Sequence, residues 1–180
     1  MARVESLKDE ELTPDQQRIA RDIASTRSRV GGPFAIWLRT PAIAEAANNL
    51  GTVLRHRSNI ERRLFELMVL VIARHWDAQY EWYVHAKQAR DAGVADEAIA
   101  ALRERSRPDF ARADEQLVYD VVTELQEQKA LSQPTYDRAL AFFGLDRLVE
   151  FIAAAGFYTM VAMTLDAFEV PVPDGTHPLG

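Results

Sequence analysis

The residues of this chain best suited to chemistry gather in one stretch, Ile60 to Ala92, IERRLFELMVLVIARHWDAQYEWYVHAKQARDA. Glu66 sits between Phe65 and Leu67 inside an apolar run. A carboxylate there must be paired, hydrogen-bonded or protonated, because an unpaired buried charge is costly. Two partners are available: Arg62, one helical turn earlier, or a group on the following helix. Glu81 and His85 come next, four residues apart, which places them on one helical face. A Glu beside a His can raise the imidazole pKa and fix its tautomer, which suits proton transfer near neutral pH. The same spacing also arises on an ordinary solvated helix surface. Ala78, Trp82, Gln88 and Ala89 share that face: small residues that leave room for a ligand, and an indole that can form a wall.

Helices must position these groups. Ser58 and Glu61 have the spacing of a capping box ahead of LFELMVLVIA, and no Gly or Pro interrupts the run. That favours a helix from Ile60 to about His75 over a strand. A short turn around Asp77 should fold the next helix, 77–92, back alongside, with Gly93 as its stop. Upstream, Thr13-Pro14-Asp15-Gln16 is another capping box, opening a charged helix to about Ser28 that lies on the surface or against a partner. Gly31-Gly32-Pro33 reads as a plain connector, with an apolar turn or short helix after it at Phe34 to Leu38. Thr40-Pro41 starts an Ala-rich helix to about His56. Downstream come Asp96 to Glu104, a polar linker over 105–109, Arg112 to Gln128, and a Ser132-capped helix stopped by Gly144. An apolar helix capped by Asp146 closes the series. No alternating β-branched runs with a hairpin turn occur, so the expected fold is all-α, a compact array of seven to eight helices. One domain over 1–180 is expected, with a flexible arm at 1–12 and an extended Pro-rich tail at 170–180.

Composition removes several function classes. The 180 residues are 48% hydrophobic and carry a net charge of -6, with Lys and Arg scattered among acids, so nucleic acid is not an expected partner. Cysteine is absent, which removes disulfides, thiolate metal sites and thiol nucleophiles. The first residues, MARVESLKDEELTPD, hold no apolar leader region, so a cytoplasmic location is expected. The apolar stretch Phe151 to Leu165 falls short of the roughly 20 residues that a spanning helix needs. It reads as a core or subunit-contact helix, with no membrane partner. That helix, an exposed-looking Trp37 and the Pro-rich tail offer more apolar surface than one small domain hides, so a homo-oligomer is expected.

The order of these residues resembles the carboxymuconolactone decarboxylase and alkylhydroperoxidase-D-like superfamily. The likeness rests on an interior Glu, then Tyr80-Glu81-Trp82, His85 and an Ala-rich run to Gly93. It extends to Gly32-Pro33-Phe34, Leu38-Arg39-Thr40-Pro41, Gly156-Phe157-Tyr158 and Leu165-Asp166-Ala167-Phe168. The resemblance implies trimers or hexamers with sites near subunit contacts. Peroxidase members carry Cys-x-x-Cys-x-x-x-His with an upstream Glu; by position these are His85 and Glu66, while Ala78 and Glu81 occupy the two Cys positions. Thiol peroxidase activity is therefore not expected. The decarboxylase branch is similar in carrying Glu-x-x-x-His, and implies a cofactor-free decarboxylation of a small lactone or carbonyl acid. On that reading His85 donates the proton, Glu81 and Glu66 orient it, and Tyr80 and Trp82 shape the pocket. Arg39 or Arg74 would hold the substrate carboxylate. The other function class is a catalytically silent ligand-binding or accessory oligomer. Within the site, a metal held by Glu66, Glu81 and His85, with His56 or His75 added, is the alternative to a metal-free, cofactor-free one.

Overall fold

The run Leu64 to Ala73 has no polar face to show to water, and it folds accordingly. In the computed structural model, which describes residues 2–27 and 29–180, every side chain from Leu64 to Ala73 is buried. This helix, α4 (Arg62–His75), is surrounded by α5 (Gln79–Asp91), α6 (Asp96–Arg103), α7 (Ala113–Gln128) and α9 (Leu145–Ala167). Its first turn is pinned to α7 by buried Arg63, which lies 2.6 Å from Glu115 and 2.8 Å from Asp114. Around this layer lie α1 (Pro14–Arg27), α2 (Pro33–Trp37), α3 (Pro41–His56) and α8 (Gln133–Phe143). Among the described residues there are nine α-helices and no strand; the eight helices longer than α2 match the expected array.

The α4 to α5 reversal is the turn expected at Asp77. Asp77 adopts a left-handed φ of 56°, and the Ala78 N–H donates to the Ala73 carbonyl at 2.8 Å, closing the helix end. The guanidiniums of Arg74 and Arg105 both meet the Asp77 carboxylate. Gly93 stops α5 in the same way, with φ 94° and the Val94 N–H on the Ala89 carbonyl.

Of the expected caps, Thr13 and Gln16 form theirs reciprocally, at 2.9 and 3.3 Å. The helix they open is described to Arg27; its expected end at Ser28 lies outside the described residues. The Ser58–Glu61 box does not form. Ser58 lies just past the end of α3, and its hydroxyl donates back to the Leu54 carbonyl in the last turn of that helix. The Ser132 hydroxyl meets Thr135 rather than the backbone of α8. Helix α9 begins directly after Gly144, so Asp146 sits in its first turn, where it complements the helix dipole instead of capping.

Helix α9 has 23 residues, longer than the apolar stretch that signals it. By length and composition alone it is long and apolar enough to cross a membrane, but half of its most apolar window is buried inside this fold. It packs Phe151, Ala154, Tyr158, Ala162 and Leu165 inward, as a core helix does. Trp37, expected on the surface, is buried as well: its indole donates to Thr164 at 3.1 Å and lies edge-on to Phe34. Both ends of the chain are tied down. The Arg3 N–H donates to the Phe168 carbonyl, and Arg39 donates to the Glu5 carbonyl. The tail is non-helical as expected, yet it docks on α5, with the Leu179 N–H on the Gln79 side chain at 3.0 Å.

Candidate functional site

Glu66 is fully buried and makes both of the contacts open to it. Its Oε2 lies 2.6 Å from His85 Nδ1, and its Oε1 lies 2.6 Å from Arg62 Nη2. The fold-back of α5 on α4 thus joins the interior acid to the histidine across two helices. Burial holds the His85 pKa below the ordinary histidine value; hydrogen bonding and charge from Glu66 oppose this, and Arg55 and Arg62 reinforce it. The expected rise is therefore reversed, because desolvation outweighs the neighbouring acid. A neutral ring donating to Glu66 carries its hydrogen on Nδ1, which leaves Nε2 as an unprotonated base.

Glu81 does not pair with His85. It shares the face, but the Nδ1 of His85 is taken by Glu66. Glu81 is 2% exposed, and neither carboxyl oxygen has a hydrogen-bond partner among the described residues. Burial, with the charge of Asp166 added, lifts its pKa well above the usual carboxylate range. The two groups are thus pushed apart, one toward a neutral acid and one toward a neutral base, which is the arrangement that acid-base sites use.

Both groups line a pocket of about 350 Å³ between α3, α5, α9 and the segment joining α1 to α2. Arg27, Arg29, Arg55, His56, Tyr80 and Tyr158 also line it, so cations outnumber the single acid. Arg55 donates to the Tyr158 hydroxyl and to the Gln88 side-chain oxygen, each at 3.0 Å. The same Gln88 oxygen accepts from Arg62 at 2.7 Å. Tyr158 stands edge-on to the His85 ring, 5.2 Å between centres, and burial pushes its phenol up to about 12 against the pull of Arg55. A contact ring therefore runs through His85, Glu66, Arg62, Gln88, Arg55 and Tyr158. A larger cavity of about 510 Å³, between the N-terminal arm and α1, contains none of these groups.

Two glycines shape the wall. Gly32, expected to be a plain connector, has φ 56°, and an added Cβ would meet the Tyr80 ring at 2.7 Å. At Gly51 a Cβ would come within 2.5 Å of Arg27 and 2.9 Å of the Phe157 ring. Bare backbone at these points is what lets the pocket walls approach.

Of the residues anticipated from sequence, Glu66, Glu81, His85 and Tyr80 come together. Trp82 does not line the pocket; one position beyond Glu81 it turns into the core, at 3% exposure. Arg39 is spent on the N-terminal arm and Arg74 on Asp77, so neither reaches the site. The metal set does not assemble either: Glu66 is committed to Arg62 and His85, His75 lines a separate cleft, and no metal-binding group of three or more His, Asp or Glu converges among the described residues. The cationic wall of Arg27, Arg29 and Arg55 was missed. Arg55 and His56 give no signal beyond the basic last turn of a helix, and Tyr158 none beyond its place in Gly156-Phe157-Tyr158.

Residues 41–123 match the model of the carboxymuconolactone decarboxylase family, and this stretch runs from the start of α3 into α7 with Glu66, Glu81 and His85 inside it. The resemblance read from the sequence holds there. Among solved structures, the crystal structure of an uncharacterized peroxidase-related protein from Silicibacter sp. TM1040 shares the fold, with a TM-score of 0.73 over 94% of this chain and 90% of that one, at 12% identity. No curated protein matches the chain.

Proposed function

We propose that this chain, with the carboxymuconolactone decarboxylase pattern across its centre, is a cofactor-free enzyme that moves protons on a small lactone or carbonyl carboxylic acid, most simply in a decarboxylation. The observation that carries the reading is a buried Glu81 carboxyl, without a hydrogen-bond partner among the described residues, in the same cation-lined pocket as a Glu66-held His85. The carbon–carboxylate bond of the substrate breaks, carbon dioxide leaves, and the electron pair moves into the carbonyl or lactone system. The pocket then supplies one proton to carbon. Glu81, held as a neutral acid, is the better donor; His85 Nε2, unprotonated, fits a base that orients or deprotonates the substrate. This exchanges the roles that the family resemblance implies, since a histidine neutral at pH 7 has no proton to give from Nε2. With no thiol in the chain, acid-base chemistry remains where peroxidase relatives would place cysteines. Cytoplasmic residence and self-association belong to the same proposal.

Incubating the protein with small lactone acids and β-keto acids in D₂O, while following carbon dioxide release and deuterium at carbon, tests this. Turnover should vanish in His85→Gln and fall steeply in Glu81→Gln. Removing one acid-base group typically costs 10²- to 10⁴-fold. Full activity in His85→Gln defeats the assignment. Binding without any exchange would instead favour a silent ligand-binding protein.

A further inference from the structure

The acid-base groups explain proton movement but not how a ligand is gripped. Arg55 is half-buried at the pocket wall, and among the described residues its hydrogen-bond partners are neutral, the Tyr158 hydroxyl and the Gln88 oxygen. A cation steered by neutral acceptors keeps its charge available. The oxygen of Tyr158 accepts from Arg55, so its own hydrogen is left to donate. Gln88 has a second property: one oxygen receives both Arg55 and Arg62, two cations that would repel each other without it.

We infer that Arg55 is the anion-anchoring residue of this pocket and that Gln88 is the positioning residue that aims it, so that the site takes a small dicarboxylate with one carboxylate on Arg55 and Tyr158. The body of the ligand then faces Glu81 and His85. This rests on the reading of the pocket given above, and adds where the anion sits and what holds the anchor. A guanidinium fork with Tyr158 beside it matches a planar carboxylate, whereas a lysine at the same place would offer only a point charge. Arg27 and Arg29 line the same wall and add to the attraction at longer range.

Malonate, an unreactive dicarboxylate, is the probe, and calorimetric titration is the measurement. Wild type should bind malonate, and Arg55→Met should bind it roughly 10- to 100-fold more weakly, the worth of hydrogen bonds to a charged group. Arg55→Lys should recover only part of the loss. Equal binding by wild type and Arg55→Met overturns the inference, as does no binding by wild type. For Gln88 the second readout is the His85 ring in an NMR titration. His85 is faced by Arg55 from α3, Arg62 and Glu66 from α4, Glu81 from its own helix and Tyr158 from α9. Malonate on Arg55 offsets one of the charges that hold the ring unprotonated, so its midpoint should rise on binding in wild type. Gln88→Leu should lose that response while keeping the fold. A Gln88→Leu protein with the full response sinks the positioning role. Arg55→Met should lose malonate affinity, whereas His85→Gln should lose turnover of the reactive acids yet retain measurable malonate binding, so loss of the anchor and loss of the proposed chemistry are read separately.

Discussion

A carboxyl group buried without a partner destabilises the fold that holds it, and at Glu81 the size of that burden depends on pH. Its folded pKa lies above the ordinary value of 4.5, so at higher pH the folded chain keeps a proton that the unfolded chain has released. The stability linked to Glu81 is complete below that ordinary value and is lost as pH rises through the raised one. Glu81→Gln ionises in neither state. It should therefore gain on wild type across that window, by about 1.4 kcal/mol per pH unit, when melting is compared at pH 5 and pH 8. A difference independent of pH would show that Glu81 is ordinary. His85 runs the other way. With a folded pKa below the unfolded one, it contributes stability above 6.5 that is lost as pH falls through the depressed value. Glu66 is the group that resists this depression, so Glu66→Gln should move the His85 midpoint lower still by NMR. An unmoved midpoint would break the assigned pair.

At the scale of elements, Gly51 decides how closely α3 approaches α9. On helix propensity alone Gly51→Ala would stabilise α3 by about 1 kcal/mol. The added Cβ, however, would press on the Phe157 ring and on Arg27, and overpacking costs roughly 1–3 kcal/mol. A net loss in urea denaturation is expected, together with weaker malonate binding as the arginine wall shifts; net stabilisation would show that the wall yields freely. The same element shows what a sequence discloses. The helices, the Asp77 reversal and the Gly93 stop were legible because each depends on local periodicity and turn chemistry. So was the joining of Glu66 to His85, since a charge in an apolar run needs a partner and the reversal supplies one. The choice of Arg39 and Arg74 failed for a different reason. Any exposed arginine satisfies a charge argument, and only packing between distant helices reveals that Arg55 faces the pocket. The Ser58–Glu61 box failed because the preceding helix claimed its serine.

At the scale of the whole molecule, the fold hides Trp37 and half of α9, but it leaves a stripe uncovered. Leu145, Val149 and Met163 of α9 are 60%, 60% and 51% exposed, and Ile43, Leu50 and Val53 of α3 are 44 to 49% exposed. The two helices are in contact. Large exposed apolar side chains favour covering by another surface, and we propose that a second copy of this chain covers these. Each copy carries a net charge of -6, so association works against like-charge repulsion and should tighten as salt screens it. Val149→Glu with Met163→Glu adds charge in the stripe without touching the core. Light scattering should then give a mass of 20.3 kDa for the double variant and a multiple of it for wild type, with unchanged helical circular dichroism. Equal masses for the two proteins would show that this face is not the contact. If the variant is monomeric yet still binds malonate, the pocket is complete within one chain, because every group assigned to it comes from α3, α4, α5, α9, the end of α1 and the segment after it in a single copy.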